Sequence, residues 1–292
     1  IRAQRFIENQ NFEGINVKVI NVTIDNKMPV LKRIWSFIKY MSVSCWFAAT
    51  LKADVVIASS GPITVGFPGL VAHYIRGRKF VFEVRDLWPE VAVELGIIKN
   101  KFLIKLAYWF EKRCYRAASQ IITLSPGMQT DIEKRFGKMK ITSVTNSANI
   151  QLFGTELKNP DLKGLIPMQY AIYNGNIGEV NNSEWLFMAA KLLVEQDRSD
   201  IKIVLAGDGQ QKAELEQRAI DEEVSNFILL GLLPKNQLVG LIQNALVSLV
   251  PLKGARILDT SSPNKFFESL AAGVPVVQNT KGWMKDYLEV NS

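Results

Sequence analysis

The chain has 292 residues, 48% of them apolar, with one histidine, two cysteines and a formal charge of +7. That is ample for one large or two ordinary globular cores, and it argues against a disulfide framework, a Cys/His metal cluster and a Ser-His-Asp triad. A pI near 9.3 favours an anionic partner: a phosphate-rich ligand, an acidic membrane surface or nucleic acid.

The chain opens at Ile1 rather than methionine, and "IRAQRFIENQNFEGINVKVINV" reads as a helix-then-strand pattern already under way, so an incomplete start is expected. "INVKVINVT", "ADVVIASSG" and "KFVFEVRD" are short apolar runs ending in polar or glycine residues, with helical patterns between them. "QIITLS" and "KITSVTNSA" continue the series. Such alternation predicts βαβ units and a parallel sheet. The two cysteines, Cys45 and Cys114, fall in helical segments far apart in sequence, for which a reducing compartment is the simpler reading, and the lone histidine, His73, on a probable helix, reads as a packed or surface residue. No apolar run reaches the roughly 18 residues that a membrane span needs, and no signal peptide is visible.

Periodicity fades in "NIQLFGTELKNPDLKGLIPMQ", which carries two prolines and two glycines. The expected organisation is a first domain over 1–153, a linker over 154–168 and a second domain over 169–292. In the second domain the alternation restarts with "YAIYNGNIG", "IKIVLAGDGQ", "NFILLGLLP", "LVSLVPL" and "VPVVQNT" as strands, separated by helical segments. The fold class is therefore α/β, with two consecutive doubly wound domains.

Ligands of open parallel sheets bind beyond the carboxyl ends of the strands. Four turns there are rich in glycine or small residues: Gly175-Asn176-Ile177-Gly178, Gly207-Asp208-Gly209, Gly231-Leu232-Leu233, and the Ser261-to-Asn264 approach to a helix. Glycine lets a backbone approach a ligand closely, and a helix start attracts phosphate. Ser261, Ser262 or Asn264 can cap that helix, which places Lys265 in its first turn, where a cation is locally unfavourable. A bound diphosphate would repay that placement, and Glu268, at i+3, can accept hydrogen bonds from vicinal hydroxyls such as those of a ribose. The competing reading is an exposed Lys–Glu pair worth a few tenths of a kcal/mol.

"YNGNIG", "LAGDGQQKAEL", "FILLGLLPKNQLVGLIQNALVSLVPL" and "SSPNKFFESLAAGVPVV" resemble, in this order and spacing, the nucleotide-sugar domain of family 4 glycosyltransferases of the GT-B fold. "FEVRDLWPE" and "SVTNSANIQLF" resemble segments of the branch that builds bacterial capsule and O-antigen polysaccharides, including the N-acetylfucosaminyl transferase group. The resemblance implies two Rossmann-like domains facing a central cleft, and retaining transfer of a hexose or acetamido sugar from a UDP-sugar without metal or other cofactor. It implies that Lys265 contacts the diphosphate, Glu268 the ribose, Gly231 to Leu233 the base, and Asn176 and Gly178 the phosphates or sugar. Gly207, Asp208, Gly209 and Asn264 complete the expected donor site. Two departures stand out: Thr260 occupies the place of a glutamate that many members carry eight positions before the one matching Glu268, and Glu179 follows the first glycine turn where a cation is usual, with Arg256 as a possible substitute.

By the same resemblance the first domain presents the acceptor. Arg85 and Asp86 directly follow a strand; Asp86 is the candidate for positioning or deprotonating the acceptor hydroxyl, with Arg85 beside it where relatives have histidine. Glu83, Glu90, Ser60 and Gly61 are the further acceptor-side candidates, and a structural Arg85–Asp86 pair is the alternative. "PVLKRIWSFIKYMSVSCWFAAT" and "KNKFLIKLAYWFEKRCYRAA" mix basic and aromatic residues at helical spacing, as interfacial helices do. With a lipid-linked saccharide acceptor, they imply peripheral attachment to the inner face of the cytoplasmic membrane. A nucleotide-sugar epimerase of the same fold and a non-catalytic transferase-like subunit are the alternatives; no nucleic-acid-binding motif is visible.

Overall fold

A computed structural model describes residues 4–23, 29–61, 63–157 and 160–291. The chain forms two compact units, Ile1–Leu124 with Gln129–Ser143, and Ser125–Met128 with Val144–Ser292.

The first unit opens with β1 (Ile7–Phe12) and β2 (Ile15–Ile20), followed by helix α1 (Val30–Thr50). The sequence suggests a helix running into a strand of the parallel sheet, but Ile7 to Ile20 instead form an antiparallel hairpin that is a sheet of its own. Its turn is made by Glu13 and Gly14, both at positive φ, which is the backbone sense that a tight hairpin requires. Then come β3 (Val55–Ser60), α2 (Gly66–Arg76), β4 (Lys79–Val84), α3 (Glu90–Glu94), α4 (Lys101–Ala117), β5 (Gln120–Thr123), α5 (Pro126–Phe136) and β6 (Ile141–Ser143). The parallel sheet has the order β3-β4-β5-β6. Phe80, Phe82 and Val84 alternate into the core of this unit, and α2 and α4 close over it. Cys114 is buried on α4 and Cys45 half-buried on α1, both free thiols; burial pushes the Cys114 thiol up to about 12, which fits a packing role.

The second unit comprises α6 (Ile150–Gly154), β7 (Tyr170–Asn174), α7 (Ser183–Glu195), β8 (Lys202–Ala206), α8 (Lys212–Asp221), β9 (Phe227–Gly231), α9 (Lys235–Gln243), β10 (Val247–Val250), α10 (Asn264–Ala271), β11 (Val276–Gln278) and α11 (Trp283–Asn291). The strands pair in parallel in the order β11-β10-β7-β8-β9. Both faces are covered: Ala171, Tyr173, Ile203 and Leu205 pack into one cluster, and Tyr170, Ile172 and Val204 into the other. That is the pattern of a doubly wound sheet.

The break between units falls at 143/144 instead of 153, and the stretch expected to be a linker packs with the second unit. Phe153 is fully buried with Tyr170 and Ile172, and Leu157, Leu162 and Leu165 pack against the same cluster. Burying one such aromatic contributes about 2–3 kcal/mol. Gln243 fastens the segment, donating from Nε2 to the carbonyls of Phe153 (2.7 Å) and Thr155 (2.8 Å) while its Oε1 accepts from the Leu157 amide (3.2 Å). The apolar residues are spaced too irregularly to show a period, yet each reaches the sheet.

Candidate functional site: a polar pocket at the switch point of the second sheet

The second sheet reverses its order between β7 and β10, so a crevice opens at the carboxyl ends of these strands. The turns after β7 and β8 line it, and their glycines have a role the sequence does not reveal. A Cβ on Gly207 would lie 1.8 Å from the Gly175 carbonyl oxygen, and one on Gly209 would lie 2.0 Å from that of Ile177. The amides of Gly175 and Ile177 donate to the carbonyls of Ala206 (3.0 Å) and Asp208 (2.9 Å). These glycines admit a neighbouring backbone, where ligand approach was the expected reason.

Helix α10 carries the charged pair. No side chain caps its start, and Asn264 is exposed, contrary to the expected cap. Ser261 and Ser262 are occupied through their carbonyls, which accept from Trp283 Nε1 (2.8 Å) and Asn146 Nδ2 (2.5 Å). The side chain of Lys265 is buried. Its Nζ sits 3.8 Å from the centroid of the Tyr173 ring and 3.3 Å from Asn181 Oδ1. An added Cβ on Gly175 would lie 3.0 Å from that ammonium, so the glycine turn and the lysine are immediate neighbours. Burial pulls the Lys265 pKa down to about 7, against the opposing pull of the Glu268 carboxylate.

Lys265 and Glu268 do not pair with each other. Glu268, whose side chain is 12% exposed, accepts from Lys235 Nζ at 2.5 Å through Oε1 and from Asn174 Nδ2 at 3.1 Å through Oε2. The exposed i,i+3 pair considered as the alternative is therefore absent, and Lys265 has no carboxylate within ion-pair distance among the described residues. Asn174 is itself buried, and its Oδ1 has no partner among the described residues.

Around these groups lies a pocket of about 370 Å³ whose walls include Asn174, Asn176, Asp208, Leu233, Lys235 and Glu268. Gly175, Gly207 and Leu232 also line it, whereas Gly178, Gly209, Gly231, Asn264 and Lys265 do not; Lys265 borders it only through its contact with Gly175. The Gly178 amide instead donates to Ser183 Oγ (2.9 Å), and the Gly209 amide donates to Asp208 Oδ1 (2.9 Å). Lys235 and Tyr173 are the residues that sequence reasoning missed. Lys235 is the first residue of the helix after β9, a placement that could have flagged it. Arg256 is exposed and away from this wall, so the cation lining it is Lys235, with Lys265 buried next to Gly175. Glu179 is paired with Lys253, and Thr260 Oγ1 donates to the Ile257 carbonyl (2.7 Å), closing the short 3₁₀ turn Arg256–Thr260.

In the first unit, Arg85 and Asp86 follow β4 and are exposed, and neither side chain makes an ion pair or hydrogen bond among the described residues. The structural pair is therefore not formed. Protein packed behind Asp86 desolvates its carboxyl and raises its pKa, with Arg85 opposing; solvent access limits the effect. Ser60 is buried, and its hydroxyl accepts the Arg85 amide (3.0 Å), which fixes the end of β4 and leaves the side chain in a scaffold role. Glu90 accepts from Tyr108 Oη (2.5 Å), Glu83 is half-buried within β4, and Gly61 is exposed with open space at its α-carbon.

Comparison with known proteins accounts for both units. Residues 9–146 match the domain described as Glycosyl transferase 4-like, and residues 169–291 match Glycosyl transferases group 1. Probable glycosyltransferase WbjE of Pseudomonas aeruginosa is 22% identical over 238 residues, covering 77% of this chain and 57% of that protein. Among solved structures, Anabaena Alr3699/HepE in complex with UDP and glucose superposes with a TM-score of 0.63 at 16% identity, over 91% of this chain and 68% of that one. Sucrose-phosphate synthase of Thermosynechococcus elongatus gives a TM-score of 0.66 at 14% identity, over 96% and 69%. The chain thus spans little more than half the length of its curated relative, and the solved structures share its fold. With a match to a glycosyltransferase domain in each half of its sequence, the chain is similar to glycosyltransferases and has the GT-B fold.

Proposed function

We propose that the chain transfers a hexose or acetamido sugar, with retention of anomeric configuration, from a UDP-sugar to a lipid-linked saccharide in the assembly of a bacterial surface polysaccharide. The observation that carries this reading is the pocket at the β7/β10 switch point, where a buried lysine without a carboxylate partner adjoins a glycine turn and a held carboxylate. Lys265 faces the diphosphate, and Glu268 reads the ribose. The UDP seen with Anabaena HepE supports the choice of nucleotide. The polysaccharide branch rests on the "FEVRDLWPE" and "SVTNSANIQLF" segments.

In the reaction the bond from the anomeric carbon to the donor diphosphate breaks, and the acceptor oxygen forms the new bond. Lys265 and the amides at the start of α10 stabilise the charge on the departing diphosphate, the work a metal does elsewhere. Asp86 positions the acceptor hydroxyl or takes its proton. Transfer accordingly proceeds in the presence of EDTA, and loss of activity that magnesium restored would contradict this route.

The lipid-linked acceptor is supported by the surface of the first unit. On α1, Ile34, Trp35 and Ile38 are exposed beside Lys32 and Lys39, and α1 has no acidic residue. On α4, Phe102, Leu106 and Trp109 form an exposed stripe at i, i+4, i+7 beside Lys101, Lys105 and Lys112. Apolar and aromatic side chains flanked by cations suit the headgroup region of an anionic bilayer. The attachment we propose is peripheral, at the inner face of the cytoplasmic membrane; no helix among the described residues is long and apolar enough to cross a membrane.

Calorimetric titration with UDP, GDP and ADP, without metal, tests the donor reading. UDP should bind selectively, and Glu268→Ala should weaken that binding by roughly ten- to a hundredfold. A folded protein that binds none of the three would overturn it.

A further inference from the structure

The ion pair between Lys235 and Glu268 is unlike the surface pairs elsewhere on the second unit. Its carboxylate is nearly buried, lines the pocket and is gripped from two sides, by Lys235 at 2.5 Å and Asn174 at 3.1 Å. The lysine, whose side chain is 51% exposed, also rests on an aromatic ring: its ammonium lies 4.8 Å from the centroid of Phe153, which is buried in the core. An ionised carboxylate offers about four acceptor positions. Lys235 takes one at Oε1 and Asn174 one at Oε2, which leaves two, one on each oxygen. A pair of neighbouring hydroxyls on a five-membered sugar ring needs that number, and it can use them only if the carboxylate plane is held. Lys265, on the same helix face, makes no contribution to this grip; its ammonium is on Tyr173 and Asn181.

We propose that Lys235 is a specificity-determining positioning residue of the donor site: it locks the Glu268 carboxylate in the orientation that reads the vicinal hydroxyls of the donor's ribose, and leaves the diphosphate to Lys265. This rests on the donor reading above. Lys235, in the pocket wall, and Lys265, buried beside Gly175, therefore divide the nucleotide between them, one acting on the ribose through a carboxylate and the other acting on the phosphates directly. A lysine at the rim that served only as a general cation would instead help every phosphate-bearing ligand equally.

The test titrates wild type, Lys235→Met, Lys235→Arg and Glu268→Gln with UDP and with 2′-deoxyuridine diphosphate. Hydrogen bonds to a charged group set the wild-type preference for UDP at roughly ten- to a hundredfold. In Lys235→Met that preference falls to within about threefold, because affinity for UDP drops while that for the deoxynucleotide holds. Lys235→Arg restores most of the preference, and Glu268→Gln added to Lys235→Met costs little more, since the two residues act as one unit. If Lys235→Met keeps the full ribose preference, or weakens both nucleotides alike, the positioning role is wrong while the donor reading stands. If wild type binds neither nucleotide, both fall.

Discussion

Donor binding should be linked to proton uptake through Lys265. The ammonium is buried against Tyr173 and Gly175, its neighbours offer one amide oxygen at 3.3 Å, and the Glu268 carboxylate is already held by Lys235 and Asn174. Tyr173, beneath it, stays protonated because burial raises its pKa well above the usual value. With the Lys265 pKa down at about 7, about nine in ten empty sites hold a neutral lysine at pH 8. A diphosphate beside it favours the cation, so binding above pH 7 takes up a proton. Apparent affinity then falls about tenfold per pH unit from pH 7 to the pKa of the complex. Calorimetry of UDP binding between pH 7 and 9, in two buffers of different ionisation heat, should report an uptake near one proton at pH 8.5. UDP's own terminal phosphate titrates near pH 6 and lies outside this window. The same shift acts on stability. Between about pH 7 and 10.5 the unfolded chain binds the proton and the folded one does not, so stability rises with pH across that window, by roughly 4–5 kcal/mol at the upper limit. Lys265→Met should flatten both profiles. No proton uptake at pH 8.5, or an unchanged slope in Lys265→Met, would refute the reasoning.

Asp86→Asn should leave UDP affinity within about twofold and reduce transfer by a hundredfold or more, measured by calorimetry and by product formation; a fully active variant removes Asp86 from the acceptor site. Gly207→Ala should lower the melting temperature substantially, since its methyl would lie 1.8 Å from the Gly175 carbonyl; overpacking of this kind costs about 1–3 kcal/mol or more. UDP binding should weaken with it. Gly254→Ala, with open space at its α-carbon, should be nearly neutral in the same melts. Replacing Trp35 and Trp109 with aspartate should release the protein from vesicles containing anionic lipid in a flotation assay while sparing UDP binding; unchanged flotation would exclude these two helices as the attachment surface.

The repeated strand–helix pattern was legible because each strand of the second unit is a short apolar run bounded by glycine or polar residues, as in "IKIVLAGDG". So was the nearness of Lys265 and Glu268 to the mouth of the sheet, since α10 follows β10 at its carboxyl end. What spacing could not show is partner choice: i+3 put the two residues on one face and left a mutual pair open, and the tertiary fold gave Glu268 to Lys235, 33 positions away. It also misplaced the unit boundary, because Phe153 and Leu157 reach the core from a segment with no period. The opening hairpin was missed for a local reason: its turn depends on Glu13 taking a left-handed conformation that few residues adopt.

The interlocked turns after β7 and β8 have a bearing on how such a pocket changes over time. Where Gly207 meets Gly175 and Gly209 meets Ile177, main chain rests on main chain, so this part of the floor keeps its shape whatever side chains are mounted around it. Residues on the rim, Leu232 and Leu233 among them, can be exchanged without disturbing that floor. Conformational ordering of the two loops is completed during folding, so an arriving nucleotide meets a surface already in place and loses little affinity to arranging it. Variation in what is bound can then accumulate at the rim while the means of binding stays constant.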